Sequence, residues 1–266
     1  MIEYIVISMA GFILVLLVLV ITTNQKARPM LWKIEMDSPS YLLASLHAGI
    51  HKREIHQRIW QRLKKCRVVV FENRCDEEES KELHCSLSLS EALGSEYWKK
   101  VEQTLGLRCA KQIQNCEPWQ LGVILTYCAY PDGKGVERSL KQKAHNKKIC
   151  GLESMNTVPQ ILREIYNVEM IKELLDNDPK PQIYKMIDVY KSGNAQKLNK
   201  DHLATMPDIL KKKLVWQRNK NWMPQIEHHI REGNAFIVVG AFHLVGDHSV
   251  IELLRNKGYK IHREKC

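Results

Sequence analysis

The chain lacks the short signatures that would name its chemistry outright. It has no Cys-x-x-Cys pair and no His-Glu-x-x-His, so local spacing alone defines no metal site. It has no glycine-rich phosphate loop, zinc finger or RNP-like stretch, and its lysines are scattered, with Lys211-Lys212-Lys213 the one tight run. The net charge of +10 therefore reads as solvated helix faces, and no nucleic-acid partner is expected. Low-complexity tracts are missing. Apolar content is ordinary, and 266 residues suffice for one large α/β domain. The eight cysteines show no Cys-x-x-Cys spacing; their even count permits disulfides in an oxidising compartment, but a chain this long does not need them, and they read as scattered reduced thiols. Cys116 and Cys128 fall in or beside apolar helical pattern, where buried thiols are common.

Charge is also missing from Tyr4 to Ile21. That uncharged length reaches the lower limit for a transmembrane helix. Only Glu3 precedes it, and Thr22-Thr23-Asn24-Gln25 makes a poor cleavage site, so a signal peptide is disfavoured. A buried core helix would show a polar face, and this segment has none. The expectation is a single-pass anchor over residues 1–23, a polar linker over 24–30 and one domain over 31–266. Lys26 and Arg28 follow the apolar run, which by positive-inside counting puts the domain in the cytoplasm.

What is present is a set of short apolar strands that end on polar residues. Phe236-Ile237-Val238-Val239 runs into Gly240-Ala241-Phe242-His243. Tyr41-Leu42-Leu43 runs into Ala44-Ser45-Leu46-His47 in the same pattern. Val68 to Phe71 ends at Glu72, and Lys148 to Leu152 ends at Glu153. Leu31-Trp32-Lys33-Ile34 pairs with Tyr41-Leu42-Leu43 as a hairpin around Asp37-Ser38-Pro39-Ser40. Helical pattern fills most of the remainder, so the fold class is mixed α/β, a central mixed sheet flanked by helices behind an N-terminal transmembrane helix. Open α/β sheets place their chemistry at the carboxyl ends of strands, so His47, Glu72, Glu153 and His243 are expected along one sheet edge. Two imidazoles and a carboxylate can hold a divalent ion and leave positions open for water. Arg218 is the cation to neutralise a developing oxyanion or hold a substrate carboxylate.

These residues, in this order, resemble the TraB/GumN family, which includes the Tiki metalloproteases. The matching elements are Leu31-Trp32-Lys33-Ile34, Tyr41 to His47, Val68 to Glu72, Gly151-Leu152-Glu153 with Gln160, Arg218-Asn219 with Trp222-Met223, Gly240 to Gly246, and Leu253-Leu254 with Gly258-Tyr259 and Ile261. The resemblance spans about residues 31 to 263. It implies a mixed sheet flanked by helices and a divalent-metal-dependent hydrolase, a peptidase acting at the cell surface on peptide or protein substrates; with the apolar segment, the expectation is a membrane-anchored enzyme. Carried over residue by residue, it implies His47, Glu72, Arg218 and His243 as the catalytic set. His47, Glu72 and His243 become ligands of a divalent ion (Mn, Co or Zn), with Glu153 as a weaker ligand.

Two positions depart from the family pattern. Alanine at position 44 replaces a glycine, which is strained if the backbone there needs φ > 0. Arg74 stands where relatives commonly carry an acidic residue, and its charge opposes cation binding. These departures support an alternative, a catalytically inactive member that binds peptides or proteins at the membrane. His51 and His56 read as solvated. His228 and His229 are neighbours on a helix, about 100° apart; they read as surface residues and are not expected to share an ion.

Overall fold

The computed structural model describes residues 27–73 and 88–264. The expected anchor over 1–23, Arg74, and three of the cysteines (Cys75, Cys85 and Cys266) lie outside the described residues. No helix among the described residues is long and apolar enough to cross a membrane.

Six strands form one mixed sheet: β1 (Leu31–Ile34), β2 (Ser40–Ser45), β3 (Val68–Asn73), β4 (Lys148–Glu153), β5 (Ala235–Gly240) and β6 (Ile261–Arg263), in the order β4-β3-β5-β2-β1-β6. The β1–β2 hairpin is antiparallel, and β6 adds antiparallel to β1. The other neighbours, β2 with β5, β5 with β3 and β3 with β4, are parallel. Four parallel strands therefore end on the same edge. Val68–Phe71 and Phe236–Val239 are apolar on both sides and fully buried, as parallel strands covered by helices on both faces must be.

Helices fill the crossovers: α1 (Gln57–Lys65), α2 (Leu89–Leu105), α3 (Leu107–Ile113), α4 (Pro118–Cys128), α5 (Gly135–Lys143), α6 (Thr157–Ile165), α7 (Val168–Asp176), α8 (Lys180–Ser192), α9 (Gln217–Glu232) and α10 (Val250–Asn256). His56 caps α1, its Nδ1 accepting from the Arg58 amide at 3.2 Å, which gives this histidine a structural task beyond solvation. The sheet core is separate from a smaller helical cluster in which Leu89, Leu93, Val101, Leu121, Leu125 and Ile171 pack together. Cys128, expected near the core, is exposed on the last turn of α4. The expected linker is partly domain. Ala27 and Met30 are buried, and the Ala27 and Arg28 amides donate to the carbonyls of Glu54 and Lys191.

Candidate functional site

The four strand ends stand side by side in the spatial order Glu153 (β4), Glu72 (β3), His243 (after β5) and His47 (after β2). All four occupy the carboxyl edge of the parallel strands, as open α/β sheets favour.

Arg218, in the first turn of α9, ties three of them together. Its Nε donates to Glu153, and Nη2 donates to Oε2 of Glu72 and Oε1 of Glu153, both at 2.7 Å. Nη1 donates to the Leu214 carbonyl at 2.8 Å and faces Nε2 of His243 at 3.2 Å. A guanidinium has five N–H donors, and every one is engaged inside the protein. Arg218 is therefore a locked cation here rather than an open oxyanion partner. The indole N–H of Trp222, one turn along α9, donates to Glu153 at 2.8 Å, and its ring lies 4.4 Å from the His243 ring.

The state of each buried group follows from these contacts. Burial alone would raise the Glu72 carboxyl, but the fields of His243, Arg218 and His47 and the Gly240 amide at 2.5 Å bring it down to about 2. The cation responsible at neutral pH is Arg218, because His243 is itself uncharged. Burial, with Arg218 and His47 nearby, outweighs Glu72 and lowers the His243 pKa to about 3. Asn219 faces Nδ1 of His243 through Oδ1 at 2.6 Å and donates through Nδ2 to the His248 carbonyl at 2.8 Å. That assignment puts the His243 proton on Nδ1 and the lone pair of Nε2 toward Arg218.

His47 differs from the rest. Its side chain is half exposed, and Nδ1 lies 3.1 Å from Oε2 of Glu137 in α5. Desolvation pushes its pKa down, but Glu137 and Glu72 outweigh it and the net direction is up. The loop that carries His47 is seated on the first turn of α5. The Val136 amide donates to the Leu46 carbonyl at 2.9 Å, and Gly135, at φ +74°, lies so close that a Cβ would meet the His47 carbonyl oxygen at 2.2 Å. Only glycine allows that approach. Glu137, two residues further, is thereby delivered to the imidazole, while its other oxygen takes Lys141 at 2.9 Å. A cavity of about 450 Å³ opens beside them, lined by His47, Tyr127, Lys134, Glu137, Arg138 and Lys141.

Ala44 is not strained. Asn234 is the one non-glycine residue at positive φ among those described, and Ala44 sits in ordinary strand pairing opposite Val239. Gly240 likewise has a negative φ of −53°. Its use is space, since a Cβ there would come within 3.1 Å of Oε1 of Glu72.

A divalent ion does not fit among His47, Glu72 and His243 as they stand. The Nε2 lone pair of His243 faces the guanidinium, and Oε1 of Glu72 holds the Gly240 amide. Among the described residues, one group of ligand-type side chains brings its atoms within 4.8 Å of one another, and it consists of His228, His229 and Glu232 at the far end of α9.

Glu137 was not visible as a site residue in the sequence. Its one available cue was the glycine-rich turn Gly133-Lys134-Gly135 just before it. Asn219 was visible as part of a motif but without a role.

A model of the TraB/PrgY/gumN family matches residues 30–263. No curated protein and no solved structure gives a match.

Proposed function

Because the chain belongs to the TraB/PrgY/gumN family, we propose that its domain is a hydrolase working by acid–base chemistry at His47, held at a membrane by the apolar segment 4–21. The observation that supports this reading is the His47–Glu137 pair, which lines an open cavity of about 450 Å³. With Nδ1–H directed to Glu137, Nε2 of His47 carries the lone pair. It takes a proton from a water molecule as the water oxygen attacks a peptide carbonyl. The resulting imidazolium, stabilised by Glu137, returns the proton to the leaving amine as the C–N bond breaks. Arg218 ties Glu72, Glu153 and His243 into one hydrogen-bonded group beside His47, outside the lining of that cavity.

Metal dependence, as the resemblance implied, requires Arg218 to leave the Nε2 lone pair of His243. Peptidase profiling of the purified full chain separates the cases, with chelator and then with Mn²⁺, Co²⁺ or Zn²⁺. Turnover in chelator that falls at least ~100-fold in His47→Ala supports the acid–base reading. Turnover that persists in His47→Ala overturns it, and turnover that needs an added ion replaces it with the metal-dependent one.

The closed hydrogen-bond network favours a second reading. All five donors of Arg218 are occupied, which suits a catalytically silent domain that binds peptides or proteins through the His47 cavity. Binding of peptides without turnover under any of these ions would establish that reading.

A further inference from the structure

The amino edge of the sheet carries a second group of ligand-type side chains. α9 runs back from Arg218 to Glu232, and β5 begins at Ala235, beside Val68 of β3, which also pairs with Lys148 of β4. In the last turns of α9, His228, His229 and Glu232 each offer a ligand atom, and the three atoms lie within 4.8 Å of one another. Nε2 of His228 is 3.6 Å from Oε1 of Glu232. Ligand atoms bound at ~2.0–2.2 Å in a tetrahedral zinc site stand about 3.4 Å apart, so this pair needs little adjustment.

Two further observations point to a ligand. Nδ1 of His229 is buried and has no hydrogen-bond partner among the described residues. Buried polar atoms in folded proteins are nearly always satisfied. Oε2 of Glu232 is held by Nη2 of Arg67 at 3.0 Å, which fixes the carboxylate and leaves Oε1 toward His228. Outer contacts of that kind orient metal ligands. Adjacent positions on a helix point about 100° apart. The two ring centroids are nonetheless only 5.3 Å apart. The negative end of the α9 dipole adds a favourable field. Arg67 and Lys148 oppose it, and the donor set of two imidazoles and one carboxylate suits a zinc-class ion over a hard, oxygen-seeking one.

We propose that His228, His229 and Glu232 form a binding site for a zinc-class divalent ion, at the opposite sheet edge from His47. Three protein ligands leave one position for water. The bound ion braces the end of the helix whose first turn holds Arg218 and Asn219.

The test is calorimetric titration of Zn²⁺ into the untagged full chain, with melting followed in parallel. His228→Ala and Glu232→Gln alter partly exposed side chains outside the core. Each is expected to weaken Zn²⁺ binding at least tenfold and to abolish the Zn²⁺-dependent rise in Tm. His47→Ala with His243→Ala is expected to keep the binding, which separates this site from the carboxyl edge. The proposal is overturned if wild type takes up no Zn²⁺. It is equally overturned if His228→Ala and Glu232→Gln bind like wild type, or if binding disappears only with His47 and His243.

Discussion

Oε2 of Glu137 lies 3.1 Å from Nδ1 of His47, although the two residues are separated by the whole of β3 and the helices α1 to α4. This contact makes His47 unlike the other three strand-end residues: it is open to solvent, oriented, and more basic than an ordinary imidazole.

Glu137→Gln keeps a hydrogen-bond acceptor but removes the charge. The expected result is a loss of ~10²-fold or more in any His47-dependent turnover, because the imidazolium loses its counter-charge. The folded-state pKa of His47 is raised, so its contribution to stability is full below about 6.5 and is lost as pH rises through the folded value. The stability gap between wild type and His47→Gln should therefore shrink from pH 6 to pH 9. A gap that widens with pH would contradict the pairing.

Acid should destabilise the domain in two stages. His243 has a folded pKa of about 3 against an ordinary 6.5, and Glu72 about 2 against 4.5. In both cases the unfolded chain takes up its proton first as pH falls. Stability is present above each ordinary value, drains below about 6.5 through His243, and drains further below about 4.5 through Glu72. Denaturant midpoints measured from pH 7 to pH 4 check this. A flat profile between pH 7 and pH 5 would show that His243 is not held neutral.

Arg218→Met should cost about 3–5 kcal/mol in chemical denaturation, since it leaves the buried carboxylates of Glu72 and Glu153 unpaired. Arg218→Lys restores charge but supplies three donors in place of five, so it should fall between wild type and Arg218→Met. Equal stability of Lys and Met at this position would mean that charge contributes nothing to holding the network.

Two small-residue substitutions separate backbone need from sequence habit. Gly135→Ala forces a side chain into φ +74° and against the His47 carbonyl, so it should destabilise by ~1–3 kcal/mol and disturb the His47 loop. Ala44→Gly should leave turnover unchanged, because Ala44 is unstrained. Its expected cost is within about 1 kcal/mol, from lost strand preference. A gain of activity in Ala44→Gly would contradict that assignment.

The strands and their polar ends were legible because each is a short apolar run with an abrupt change of character at its last residue. Val68–Phe71 into Glu72 and Phe236–Val239 into Gly240 are the plainest cases. The parallel order follows from the helical crossovers between them. What stayed hidden depends on contacts between distant segments. No local pattern says that Glu137 meets His47, since that depends on the close approach at Gly135. The closure of all five Arg218 donors is equally invisible, although the Arg-Asn pair was recognised as a motif. Reading Ala44 as a defect failed because only the backbone angle shows that this position is an ordinary strand residue. The surface reading of the His228–His229 pair holds for His228, which is exposed, and not for His229, which is buried.

The account rests on His47 being a basic, accessible imidazole held by Glu137. NMR titration of the ¹⁵N-labelled histidines tests this most directly, with His47 assigned by its loss in His47→Gln. The predicted result is a midpoint above 6.5 for His47 in wild type that falls in Glu137→Gln. A wild-type midpoint at or below 6.5, unmoved by Glu137→Gln, would contradict it.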